Sequence, residues 1–394
     1  MTNTKNKLLY IEGIRGLAAV IVVLHHFTLI FYPALNYGEL NQVHIGNGFL
    51  EIFIAKSPFN LIYNGGFAVS VFFILSGFVL SNVYHQSLNP VVLYHYALKR
   101  YFRLVIPVSL TVIIAYFFIK AGFMNHLGLG ELTKNSVWLY ESFKQTLGLA
   151  GTIKNMFVDV FFLKDNTYNP VLWTMTYEFL GSLLLFSFLF VIHGLRYKII
   201  LYGVLVLGLI ATKNNFYAAF ILGAFLNRML YDIKFMPGTV LKHKITKVII
   251  GLIGLFFCSY PLLNRVDNTV YGCISFSQVE SYDFYHVIGS FMLMYLIVQS
   301  DKVKKALSNT ALVFIGKISF SFYLLHFIIF CSFTCYLFKL LYATMGYNVA
   351  ALLSFVISLP VIILASIVYH QWIDKTGIKF SEKILSLCVS KNEL

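Results

Sequence analysis

Arg15 and His26 in YIEGIRGLAAVIVVLHHF are eleven residues apart, which at about 100° per helical residue returns them to within about 20° of one face. The rise over that interval is about 16 Å, so an arginine at the edge of a membrane puts His26 near its middle. This puts a basic anchor on one face with an imidazole whose unperturbed pKa of ~6.5 suits a general base. His25 points roughly 80° away on the same count. Glu178 in PVLWTMTYEFLGS is the next candidate. Asn169 reads as an N-cap and Pro170 as the first helical residue, so Glu178 lies about 12 Å in from the opposite side, level with His26. A carboxylate at that depth suits a residue that orients the base. His326, after YLL, reads first as a hydrogen-bonding histidine of the bundle. Ionisable groups at membrane depth are costly, which makes all four functional candidates.

The elements that must position these residues are apolar helices. Of 394 residues, 59% are hydrophobic and only 12% charged, more apolar surface than a water-soluble fold of this size can hide. Disorder, collagen-like repeats and a cytosolic enzyme are excluded. Hydropathy marks about ten candidate spans, at 14–32, 65–83, 105–121, 171–192, 199–212, 215–231, 248–263, 284–299, 318–338 and 349–370. The hairpin 199–231 is the shortest pair. The expected fold is all-α and membrane-integral, one bundle over 1–375 with a short basic tail at 376–394. Basic residues cluster in the loops on the N-terminal side, which places both termini in the cytoplasm of a multi-pass protein of the cell membrane. The piece Met156 to Leu163, in an outer loop, has the length of a re-entrant or interfacial segment.

The net charge of +14 is dispersed between apolar runs rather than gathered on one module, so nucleic acid is not an expected partner. Five cysteines have no zinc spacing, and no metal site is expected. No G-x-S-x-G elbow, H-E-x-x-H, Walker loop or dinucleotide fingerprint occurs. Ser76-Gly77 reads as a small-residue contact between membrane helices. A glycan exporter or flippase is the rival class, but neither an internal inverted repeat nor a pair of Gly/Pro-broken spans is visible.

Five motifs in order resemble the membrane acyltransferase family 3, multi-spanning enzymes that move acyl groups onto sugars, peptidoglycan, lipids and secondary metabolites. IEGIRGLAAVIVVLHHF is similar to the opening helix, with its basic residue, ten intervening residues and histidine falling on Arg15 and His26. GGFAVSVFFILSGFVLS resembles the second-helix motif, with Ser76. LKRYFRLVIP resembles the basic stretch before the third helix, with Arg100 and Arg103. PVLWTMTYEFLGS carries Trp173 and Glu178, and IGKISFSFYLLHF ends on His326.

The resemblance implies catalysis by His26 and Glu178, with Ser76, Trp173 and His326 in support. It further implies transfer of an acyl group, most simply acetyl, from acyl-CoA as co-substrate without another cofactor. The acceptor would be a carbohydrate or other hydroxyl compound. Arg15, Arg100 and Arg103 fall at helix ends on the cytoplasmic side, where they could meet the donor's phosphates. Some relatives carry an extracytoplasmic esterase-type domain. This chain stops soon after its last span, so it delivers the acyl group itself or through a separate extracytoplasmic partner.

Overall fold

The computed structural model describes residues 9–135, 139, 142–143, 146–231, 243–263 and 266–388. Of the basic residues on which the expected topology rests, Lys5, Lys7, Lys144, Lys234, Lys242, Arg265 and Lys391 lie outside them. Helices are the regular structure of the described residues, with no strand among them.

Eleven helices carry the architecture. They are α1 (Leu9–Phe31), α2 (Gly65–Ser87), α3 (Val91–Lys120), α4 (Trp173–Val191), α5 (Lys198–Ala211) and α6 (Asn215–Tyr231). They continue as α7 (Lys244–Cys258), α8 (Gln278–Gln299), α9 (Thr310–Ile329), α10 (Tyr347–Tyr369) and α11 (Lys375–Cys388). Five-residue π turns, Phe330–Thr334 and His370–Asp374, continue α9 and α10. Each of the ten expected spans overlaps a helix, with 248–263 running past the end of α7 at Cys258. Seven of the described helices, counted with their continuations, are long and apolar enough to cross a membrane. The other three expected spans are α5, α6 and α7, of 14, 17 and 15 residues. A full crossing takes about 20 residues, so apolar composition alone does not make these complete spans.

Local chemistry fixes where the helices begin. Asn64 caps α2 by accepting from the Phe67 amide, and Asn309 caps α9 by accepting from Leu312. Asn169 accepts from the Val171 amide at the turn that opens α4 and donates to the Leu324 carbonyl at 2.8 Å. The start of α4 is therefore tied to α9. Met156 to Leu163 belongs to a short broken helix, Leu149–Lys154 followed by a π turn and Val160–Phe162. Residues 376–388 of the expected tail belong to α11, which packs along α3.

Glycine governs the closest approaches. A Cβ on Gly16 would collide with the Leu312 carbonyl, and one on Gly316 with the Glu12 carbonyl. Without a hydrophobic force between helices in lipid, such backbone contact supplies the packing energy. Gly16 and Gly316 thus bring α1 and α9 together as parallel neighbours. Gly77 meets the Phe220 carbonyl of α6 in the same way.

Candidate active site

A cavity of about 520 Å³ lies among α1, α2, α3, α4, α9 and α11. Its lining changes along α9 from Lys317 to Thr174-bonded Tyr323, a rise of about 9 Å, so a charged rim passes into an aromatic interior. Arg15, Arg100, Arg103, Lys317 and Lys375 supply the cations; Glu12, Glu178 and Asp374 supply the carboxylates. The excess of cations suits an anionic ligand.

Two of these arginines are engaged within the protein. Arg15 donates to Glu12 Oε1 at 2.9 Å across one turn of α1. Arg100 of α3 is buried, donates from a terminal guanidinium nitrogen to Glu178 Oε1, and donates from Nε to Ser182 Oγ at 3.2 Å. Ser76 Oγ of α2 donates to the same Glu178 oxygen at 2.7 Å. Glu178 is thus a carboxylate neutralised by an arginine and oriented by a serine, joining three helices. Trp173, at the start of α4, packs its ring on Tyr177 and Phe216 in support of that wall.

The histidines converge beyond the cavity's aromatic end. His26 Nδ1 is 3.0 Å from His326 Nε2, on helices joined only through tertiary packing. Each Nδ1 also faces a backbone carbonyl, His26 with Val22 at 3.0 Å and His326 with Phe322 at 3.1 Å. A carbonyl only accepts, so in two neutral rings each Nδ1 carries the proton. His326 Nε2 then accepts from His26 Nδ1–H, which it shares with the Val22 carbonyl. This assignment leaves the lone pair of His26 on Nε2, as a general base requires. His26 and His326 are not among the cavity's lining residues; Tyr323, whose ring centroid is 5.9 Å from that of His326, stands between. His25 turns away toward α2, its Nδ1 donating to the Tyr63 carbonyl at 3.2 Å and its ring packed on Gly65.

Sequence reasoning missed three residues of this arrangement: Tyr323, Lys317 and Lys375. Tyr323 stands one turn before His326 in FSFYLLHF, a spacing that puts both on neighbouring faces of one helix. Lys317 and Lys375 were readable only as topogenic charges. Among the described residues no group of three or more His, Cys, Asp or Glu is placed to hold a metal ion.

A multi-helix membrane protein with paired histidines behind a cation-rich cavity is the class that fold and site define. The acyltransferase family 3 model, described as an acyltransferase domain, matches residues 8–370, and the chain belongs to this family. It is 25% identical over 451 residues to acyltransferase R4 of Phoma sp., with 96% of each chain covered. It is 22% identical over 413 residues to acyltransferase clz18 of Cochliobolus lunatus, covering 88% of this chain and 87% of that one. No solved structure matches.

Proposed function

We propose that this protein is an integral-membrane O-acyltransferase that moves an acetyl group from acetyl-CoA to a hydroxyl of a cell-surface glycan, lipid or secondary metabolite. The observation that carries the reading is the 3.0 Å contact of His26 Nδ1 with His326 Nε2 beyond the inner end of a cavity rimmed by cations, which in neutral rings puts the His26 proton on Nδ1. In the reaction, His26 Nε2 takes the proton of the acceptor hydroxyl as its oxygen attacks the thioester carbonyl. The carbon–sulfur bond breaks, the thiolate leaves, and the imidazolium returns the proton to give the free thiol. His326 holds the His26 ring through Nδ1 and stabilises the cation formed in that step, as a positioning residue. Glu178, held by Arg100 and Ser76, shapes the wall along which the pantetheine arm would lie.

The same reading places the cavity's charged rim on the cytoplasmic face of the cell membrane, with both termini on that side and α5, α6 and α7 completing the crossings. Purified protein incubated with acetyl-CoA should release free thiol faster in the presence of a hydroxyl acceptor, and His26→Ala should abolish this. Mass analysis of surface glycans and secreted metabolites from cells with and without the gene should show lost acetyl groups. No thiol release by the wild type under any acceptor, with intact acetylation in the deletion, would overturn the assignment.

A further inference from the structure

Three of the cavity's cations, Arg103, Lys317 and Lys375, form no hydrogen bond or ion pair among the described residues, unlike Arg15 and Arg100. They come from α3, α9 and α11 and are exposed at the rim of one concavity. Asp374, at the α10–α11 junction, accepts from His370 Nδ1 at 2.8 Å, and its charge also acts on Arg103. Three like charges gathered around one opening repel each other, and an anion with several charges relieves that repulsion.

Lys375 is the informative member, because α11 lies beyond residue 370, where the match to the family model ends. Its position is built into the packing. Pro107 has no amide hydrogen, so the Arg103 carbonyl one turn earlier lacks its helical donor. Gly377 packs against that carbonyl, and a Cβ there would sit 3.1 Å from it and 3.3 Å from Pro107 Cδ. Phe380 meets the Phe102 ring edge-on, with centroids 6.0 Å apart. These contacts seat α11 against the Arg103 turn, with Ile378 and Lys375 turned into the cavity.

We propose that α11 completes the donor pocket, with Lys375 joining Arg103 and Lys317 to hold the phosphates of the acyl-CoA. This rests on the acyltransferase reading above and adds a specificity-determining residue to it. Arg100 is thereby a structural partner of Glu178, and phosphate recognition falls to the cations that form no direct ion pair.

The test compares a phosphorylated donor with one that has none. In neutral-lipid nanodiscs, Lys375→Glu should raise KM for acetyl-CoA by about tenfold or more, the loss expected of one charge-assisted contact, with kcat unchanged. KM for acetyl-pantetheine, which has no phosphate, should stay at the wild-type value. Lys375→Arg should recover most of the acetyl-CoA affinity, and Lys383→Glu, a charge reversal away from the cavity, should match wild type. Equal losses for both donors, or none for either, would overturn the role of Lys375 while leaving the acyltransferase assignment intact. Stabilisation of wild type over Lys375→Glu by phosphatidylglycerol but not by CoA would give the site to a lipid headgroup instead. Wild type that neither binds CoA nor consumes acetyl-CoA would sink both readings, which separates that failure from the others.

Discussion

His26 and His326 meet at 3.0 Å because two parallel helices cross at matched glycines, each ten residues before its histidine. Gly16 lies against the Leu312 turn and Gly316 against Glu12, so equal advances of about 15 Å along α1 and α9 bring the two rings to one level. Parallel helices with equal offsets present the same rotational face, so a carbonyl-anchored imidazole on one finds an imidazole on the other. A ring held from both sides has a fixed tautomer, and base catalysis depends on which nitrogen has the lone pair.

The first prediction follows from that pairing. Removal of a general base costs about 10²–10⁴-fold in rate, so His26→Ala should lose transfer beyond detection with folding intact. His326→Ala should lower kcat with the donor KM unchanged, and His326→Asn should restore part of it by offering a side-chain acceptor to His26 Nδ1–H. Positioning is distinguished from mere packing by the pH–rate profile, whose acidic limb should move in His326→Asn. An unmoved limb with full activity in His326→Ala would remove the pair from the mechanism.

A second prediction concerns Arg100 and Glu178, which neutralise one another in a buried setting. Removing one partner of such a pair strands the other charge and costs about 3–5 kcal/mol. Arg100→Met and Glu178→Leu should each lower the thermal midpoint strongly in detergent. The double variant should recover most of that loss, since neither charge is left alone, yet stay inactive because the cavity wall has lost its polar face. Additive losses in the double variant would show that the two residues act separately.

Much of the bundle was legible because each helix carries its own evidence. Apolar run length marked the spans, Asn169 and Pro170 marked the start of α4, and helical phase separated His26 from His25. Pairing between helices is a different kind of information. Glu178 was placed at the depth of His26 by counting residues, but depth does not say which neighbour it faces, and Arg100 and Ser76 hold it instead. His326 read as a bundle hydrogen-bonder, and its hydrogen bond is to His26 itself, across 300 residues of sequence. The three short helices show the same limit from another side: composition marked α5, α6 and α7 as apolar, while their lengths of 14, 17 and 15 residues fall short of a full crossing.

The third prediction tests whether the glycine crossing positions the histidines. Gly16→Leu places atoms where the Leu312 carbonyl lies, and overpacking of this kind typically costs about 1–3 kcal/mol. The variant should melt earlier and lose transfer, although Gly16 touches neither histidine. Gly346→Ala provides the comparison: no neighbour lies within 4 Å of a Cβ there, but φ is +71°, so its cost is backbone strain alone. It should melt slightly earlier and keep its activity. Equal activity in Gly16→Leu and wild type would mean that the α1–α9 spacing is not what sets the histidine geometry.

The last prediction is a pH dependence in the segment that joins α1 to α2. His44 stacks on Tyr347 with ring centroids 3.8 Å apart, and its Nε2 donates to the Thr133 carbonyl at 3.1 Å. Its backbone amide donates to Glu51 Oε1 at 2.9 Å, and Lys134 stands nearby, donating to the Val43 carbonyl. Burial holds the His44 imidazole below its ordinary range; the Thr133 bond opposes this, and the Lys134 charge adds to it. A histidine with a lowered folded-state pKa binds protons more readily when unfolded, so its contribution to stability is present above the ordinary pKa of about 6.5 and is lost as pH falls. Burial raises the Glu51 carboxyl, which acts in the opposite sense and at lower pH, so the histidine is isolated by comparison with His44→Gln. Hydrogen exchange across 39–56 should accelerate in wild type as pH drops from about 7 to 5, after correction for intrinsic exchange, and change much less in His44→Gln. Parallel curves for the two proteins would assign any acid sensitivity of this loop to another group.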